Sequence, residues 1–379
     1  MKKLAHIITK LELGGAQLNT IYTVNYFAEK NYEVYLITGT GGIVDKSIIS
    51  SKVKIIEIEE LAREINILKD LIAFFRIFWL CRKYKFDIVH THSSKAGILG
   101  RLAAYLAFVP KIIHTVHGWG FTPLQSEIAY KTFVLLERLC AKITDKLVVV
   151  ADDNCNKGLK NKIGEKTQYI TIRSGIDLSL FPYQVYNLPK DDRLKFRERL
   201  GLNADDIVIT MTACFKLQKN PIEFVKIAKL LIDKKYNNLK FIIVGDGELR
   251  KEIEQEIVKN NLRDYFILLG WYKNITEILY ASDIFCLTSL WEGLPRAIIE
   301  AYAAGLPIVA TNVDGNKEIV LHNITGYLYE NYQIFEAAHY LELLINDKDR
   351  RMEFGRLGNY FINPEFSLNL MLETIEKIY

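Results

Sequence analysis

Met1-Lys2-Lys3-Leu4-Ala5-His6-Ile7-Ile8-Thr9 is followed within five residues by Gly14-Gly15-Ala16. The apolar run Leu4 to Thr9 is too short for a signal peptide and lacks a cleavage site, so it is expected to be a buried strand. The glycine pair then stands where a strand turns into a helix. Glycines at that point let main-chain N–H groups approach an anion at the helix N-terminus, although a plain tight turn uses the same residues.

The same rhythm continues outward. Runs rich in β-formers at Glu33 to Thr38, Val53 to Ile56, Asp87 to His92, Ile112 to Val116 and Lys146 to Val150 alternate with helical stretches. Those helices are expected at Ala16 to Lys30, Asn66 to Tyr84, Lys95 to Ala107 and Ser126 to Ile143. Strands that are hydrophobic along their whole length are buried on both faces, as in a parallel sheet covered by helices. A second series at Ile207 to Ala213, Lys240 to Val244, Phe266 to Leu269, Ile284 to Leu287 and Ile308 to Ala310 repeats the pattern. The fold class is α/β, with two doubly wound Rossmann-like domains. The two prolines and lost periodicity of Phe181 to Arg193 read as the linker. This gives a first domain over 1–182, a second over 183–363 and a terminal helix over 364–379. A ligand shared by both is expected in a cleft at the carboxyl ends of the sheets.

Composition narrows the class. With half of the 379 residues hydrophobic, two cores can be filled, and no low-complexity tract suggests disorder. The apolar stretch around Ile65 to Cys81 is broken by Lys69, Asp70 and Arg76, so no segment is expected to span a bilayer. Five cysteines without a Cys-x-x-Cys pair indicate reduced thiols and a cytoplasmic protein. Residues 1–180 hold 25 Lys+Arg against 17 Asp+Glu, a charge of +8, which leaves −4 for the remainder. That asymmetry is too dilute for a nucleic-acid partner but suits an anionic acceptor or membrane surface. Helix 66–84 mixes Phe74, Phe75, Phe78 and Trp79 with Arg76, Arg82 and Lys83, which fits either a helix resting on lipid or a core-packed helix with a solvated face.

The richest stretch is Glu292-Gly293-Leu294-Pro295-Arg296-Ala297-Ile298-Ile299-Glu300. Pro295 suits a first helical turn and Gly293 permits close backbone approach ahead of it. Glu300 then lies roughly 8 Å along the helix axis, a span comparable to a diphosphate. Two carboxylates so placed can accept hydrogen bonds from a sugar and from a ribose diol, with the helix N-terminus facing phosphates between them. An amphipathic helix with two solvated acids reads the same way. Lys216 and Lys219 flank a helix start at Asn220-Pro221, where positive charge would meet a departing diphosphate without a metal. Gly245-Asp246-Gly247 and Gly270-Trp271-Tyr272 end two strands and could line a base pocket or form simple turns. His90 and His92 share a strand face but have no carboxylate or cysteine to complete a metal site, so core histidines are expected. His117, before Gly118-Trp119-Gly120, is the better ligand contact. Asp152-Asp153 is expected to cap a helix.

Together these residues resemble the retaining glycosyltransferases of family 4, of GT-B fold. The resemblance rests on Gly14-Gly15-Ala16, Ser174-Gly175-Ile176-Asp177, Lys219 in Gln-Lys-Asn-Pro, Gly245-Asp246-Gly247 and the Glu292 to Glu300 motif. It implies transfer of a sugar, with retention and without a metal or other cofactor, from a nucleoside-diphosphate sugar such as a UDP-hexose or UDP-N-acetylhexosamine. The acceptor would be a glycan or lipid-linked glycan in bacterial surface-polysaccharide synthesis, met at the inner face of the cytoplasmic membrane. In that scheme Lys219 binds the diphosphate, Glu292 the sugar and Glu300 the ribose. Backbone N–H groups of Gly293 and Leu294 assist, and His117 approaches the reacting sugar. The terminal helix would return to the first domain. Cys214 departs from the pattern, because the family carries an arginine five residues before the lysine; Lys216 would supply the charge. The rival readings are a GT-B nucleotide-sugar epimerase and a non-catalytic nucleotide-sugar-binding subunit.

Overall fold

The computed structural model describes every residue except Leu13, Ile43, Pro123 and Asn237. The chain forms two compact units. The first comprises residues 1–174 together with 369–379, and the second residues 175–368.

In the first unit the strands are β1 (Lys2–Ile8), β2 (Tyr32–Thr38), β3 (Lys54–Glu57), β4 (Ile88–His92), β5 (Lys111–Val116), β6 (Lys146–Val149) and β7 (Tyr169–Thr171). They form one parallel sheet in the order β3-β2-β1-β4-β5-β6-β7. The order reverses between β1 and β4, and the carboxyl ends of strands beside such a reversal are where α/β sheets receive ligands. Helices Gly15–Ala28, Ile67–Tyr84, Ser94–Leu106 and Glu127–Ala141 lie close to the expected ranges. Ile67–Tyr84 starts where the Asn66 side chain accepts from the Lys69 N–H at 3.1 Å, and it stops at Lys85, whose φ of 51° leaves helical space. The short strand β7 has no apolar run to announce it, since Tyr-Ile-Thr is only half-buried at a sheet edge.

The second unit has β8 (Ile207–Thr212), β9 (Leu239–Val244), β10 (Phe266–Gly270), β11 (Ile284–Leu287), β12 (Ile308–Thr311) and β13 (Gly326–Tyr329), again all parallel, ordered β10-β9-β8-β11-β12-β13. Here the reversal falls between β8 and β11. The segment expected to be an irregular linker is irregular only to Pro189, because Lys190–Arg199 is a helix. Arg197 anchors it, bonding the carbonyls of Ala281, Ala204 and Asp206 and the Asp283 carboxylate at 2.7 Å. The terminal helix is shorter than expected, running over Leu368–Glu376. Its residues from Asn369 onward belong to the first unit, where Tyr26 donates to Glu376 at 2.7 Å. No helix among the described residues is long and apolar enough to cross a membrane.

Candidate functional site

In the second unit, the chain leaving β8 passes through Ala213-Cys214-Phe215-Lys216 into a single 3-10 turn, Leu217–Lys219. Asn220 then adopts φ 47°, and helix Pro221–Asp233 begins with proline in its first turn. Asn220 holds the cap position of this helix without a side-chain capping bond, and its side chain donates to Glu223 at 2.8 Å. Thr288 donates to the carbonyls of Lys219 and Asn220 at 3.0 and 2.9 Å and so ties the lysine loop to the end of β11.

Glu292 is nearly buried, 7% exposed. Its Oε1 accepts from Lys219 Nζ and from the Ser289 hydroxyl, the latter at 2.6 Å, while its own N–H donates to Asp314 Oδ2 at 2.8 Å. Lys219 and Glu292, 73 residues apart, are therefore direct partners. Oε2 of Glu292 makes no hydrogen bond to any described residue. A carboxylate fixed through one oxygen can offer the other to a hydroxyl donor.

The loop Gly293-Leu294 is pressed against Gly315. A Cβ on Gly315 would lie 2.0 Å from the Gly293 carbonyl oxygen and 3.1 Å from Leu294 Cα, so only glycine lets these segments meet. Helix Arg296–Ala303 follows, with Pro295 at its cap rather than inside it. Glu300 lies on this helix with Arg296 3.6 Å away, and Arg296 also donates to the Gly175 carbonyl at 2.6 Å. Burial raises the Glu300 carboxyl above its ordinary range, and the Arg296 guanidinium partly opposes the rise. Sequence reasoning passed over Arg296, Ser289, Asp314 and Gly315, all of which hold or orient the two acids.

Gly245 and Gly247 adopt φ of 132° and 155°, and a Cβ on Gly245 would lie 1.9 Å from the Ala213 carbonyl oxygen. The turn closes on the lysine loop through Phe215 N–H to the Asp246 carbonyl at 2.9 Å. Lys216 opens the 3-10 turn, and Trp271, after Gly270, is 43% exposed.

In the first unit, Gly14 caps helix Gly15–Ala28 in extended backbone without a side-chain bond. Ser174 accepts from Asn19 at 2.8 Å, and Asn19 lies on that same helix. Within the second unit, Gly175 permits a close crossing with Ser367, whose carbonyl oxygen a Cβ would approach to 2.6 Å. His90 and His92 are buried and hydrogen-bonded to other side chains, and with His6 they bring three ring nitrogens within 4.8 Å of one another. His117 is half-buried at the end of β5 and pairs with His92 at 3.1 Å. The expected capping role of Asp152-Asp153 is replaced: Ala151 holds the cap position, and Asp152 instead accepts from Thr171 at 2.6 Å and Arg173 at 3.1 Å.

Comparison with known proteins places these features in a family. Residues 13–180 match the model described as Glycosyltransferase Family 4, and residues 192–359 that described as Glycosyl transferases group 1. The UDP-Gal:alpha-D-GlcNAc-diphosphoundecaprenol alpha-1,3-galactosyltransferase of Escherichia coli is 33% identical, with alignment over 100% of this chain and 96% of that protein. The Staphylococcus aureus capsular polysaccharide biosynthesis glycosyltransferase CapM is 24% identical over 94% of this chain and 92% of its own. Among solved structures, Anabaena HepE in complex with UDP and glucose superposes with a TM-score of 0.83 at 19% identity, covering 100% of this chain and 99% of that one.

Proposed function

This chain belongs to glycosyltransferase family 4, and on that premise we propose that it moves a hexose from a UDP-hexose, with retention, to a lipid-linked amino sugar in bacterial polysaccharide synthesis. The observation that carries the reading is the Lys219, Glu292 and Ser289 grip beside the Glu300 helix. Lys219 takes the diphosphate, Glu292 Oε2 accepts from a sugar hydroxyl, Glu300 accepts from the ribose diol, and the Gly293 and Leu294 amides assist. Lys216 adds charge where Cys214 replaces an arginine, and the Gly245 turn with Trp271 borders the base. In the first unit, Gly14 and Gly15 open a helix whose N-terminus suits an anion, and His117 is the proposed sugar contact. The named donor and acceptor of the E. coli relative support UDP-galactose and a GlcNAc-diphosphate lipid as first choices.

Lys219 is the cation placed to stabilise the leaving diphosphate, so no metal enters the scheme. The departing phosphate takes the proton of the acceptor hydroxyl as the new bond forms on the face it leaves. Purified protein, UDP-galactose and a GlcNAc-diphosphate lipid should release UDP and yield an α-linked disaccharide lipid in excess chelator. Release of UDP without a disaccharide product would refute transfer, and loss of turnover on chelation would refute the metal-free scheme.

The raised carboxyl of Glu300 gives a pH signature. Its proton is taken up at a higher pH than an ordinary glutamate's, and the protonated acid is a poorer acceptor for the ribose diol. UDP affinity measured by calorimetry should fall on acidification by up to about tenfold per pH unit below that pKa. Glu300→Gln should bind UDP more weakly at pH 8 and lose this component; identical profiles for both proteins would remove Glu300 from the ribose site.

Contact with an anionic membrane is proposed through helix Ile67–Tyr84. Only Ala73, Ile77 and Cys81 are buried there, while Ile67, Leu71, Phe75 and Trp79 are exposed beside Arg76, Arg82 and Lys83. The helix packs on the core through Ala73, Ile77 and Cys81, and the face it leaves exposed is largely apolar. An apolar stripe flanked by cations suits the boundary of an anionic leaflet. Wild-type protein should float with anionic vesicles at low salt and less so at high salt. Phe75→Glu with Trp79→Glu should abolish flotation, and equal flotation of the variant would exclude this face.

A further inference from the structure

Four side chains of the first unit connect His117 to the hydroxyl of Thr115 by a route through the interior. His117 Nε2 pairs with His92 Nδ1 at 3.1 Å, and His92 Nε2 with His6 Nδ1 at 2.8 Å. His6 Nε2 meets the Tyr379 hydroxyl at 3.0 Å, and that hydroxyl also bonds His90 Nδ1. The file ends where His90 Nε2 meets Thr115 Oγ1 at 2.6 Å. The His6 and His92 planes differ by 11° with centroids 5.1 Å apart, and those of His92 and His117 by 29° with centroids 5.4 Å apart. In both pairs the centroid separation exceeds the N···N distance by the same amount, the two ring radii. These are in-plane N–H···N bonds, not face-to-face stacks.

The direction of the file follows from counting protons. Burial pushes the pKa of His6 down to about 3 and that of His117 to about 4, holds His90 and His92 well below 6.5, and raises that of the Tyr379 phenol. Each ring therefore carries one N–H at neutral pH and can donate through only one nitrogen. Consecutive bonds must then all point the same way, toward His117 or toward Thr115. Thr115 is 6% exposed, and His90 is the only hydrogen-bond partner of its hydroxyl among the described residues. If His90 donated to Thr115, the threonine proton would be left without an acceptor. The satisfied order is Thr115 to His90 to Tyr379 to His6 to His92 to His117.

We propose that Thr115, His90, Tyr379, His6 and His92 are positioning residues that hold His117 with its proton on Nδ1. Nδ1 makes no hydrogen bond to any described residue and is the atom left to a ligand. His117 is thereby a fixed donor to an oxygen of the transferred sugar, a role that rests on the function proposed above. The file is a device for orientation, and no proton crosses it during turnover.

Two-bond 1H–15N correlation spectra of 15N-histidine protein at pH 7 read the tautomer directly. His117 should appear with Nδ1 protonated and Nε2 bare; the opposite tautomer in the wild-type protein would overturn the proposal without any variant. Tyr379→Phe removes the hydroxyl that fixes His6, so a second His117 tautomer should appear and kcat/KM for the sugar donor should fall roughly tenfold, the scale of one hydrogen bond. His117→Ala separates the two claims. If it leaves turnover intact, the sugar contact itself is wrong. If it lowers turnover while Tyr379→Phe keeps both a single tautomer and full kcat/KM, only the file is wrong. Ligand nitrogens of His6, His90 and His92 all lie within 4.8 Å of one another, so stoichiometric metal in elemental analysis of the purified protein would also overturn the proposal.

Discussion

Glu292→Gln should lower kcat by roughly 10²–10³, the scale of losing one charged group aimed at a reacting centre. Glutamine keeps the shape and can still accept from Ser289, which bonds the same oxygen at 2.6 Å. What disappears is the negative charge of the carboxylate proposed to accept from the sugar hydroxyl. The effect on nucleotide binding should have the opposite sign. Lys219 spends the free state paired with Glu292, so the arriving diphosphate must draw it away from an anion. With that anion removed, UDP alone should bind as tightly as before or more tightly. Turnover within tenfold of wild type, or a large loss of UDP affinity, would remove Glu292 from the sugar and make it a structural partner of the lysine.

Arg101→Met should destabilise the first unit by about 3–5 kcal/mol, as expected when one member of a buried pair is deleted. Arg101 and Glu137 are 0% and 2% exposed, and the guanidinium donates to Glu137 at 2.7 Å and to the Gly97 carbonyl at 2.8 Å. Removing the cation leaves a carboxylate enclosed between helices Ser94–Leu106 and Glu127–Ala141. The double change Arg101→Met with Glu137→Leu should recover most of the loss, because the pair itself adds little beyond what its desolvation costs. Denaturant unfolding followed through the first unit decides the matter. A single variant within 1 kcal/mol of wild type would mean that water reaches Glu137.

The sequence displayed the fold through strands buried on both faces, whose continuous apolar runs stand out whatever surrounds them. It concealed β7 and β13, whose four residues or fewer include half-buried positions. Glu292 and Glu300 were legible as a pair because a Gly-x-Pro turn and a helix start fix their spacing locally. Arg296 lay in plain view between them, yet its partner, the Gly175 carbonyl, is 121 residues away. The same holds for the histidines: His90 and His92 could be assigned to one strand face, but the Tyr379 hydroxyl that joins His90 to His6 comes from the far end of the chain. Local spacing reveals what a turn or helix dictates. It is silent on contacts made by topology.

The first unit is assembled from residues 1–174 and 369–379, with the whole second unit between them. On a ribosome adding about 5–20 residues per second, roughly 10–40 s separate the emergence of those two pieces. During that interval the second unit is made while the first waits for the segment that carries Tyr379. The order of synthesis therefore leaves the histidine file open until the segment 369–379 is made, after the whole of the second unit.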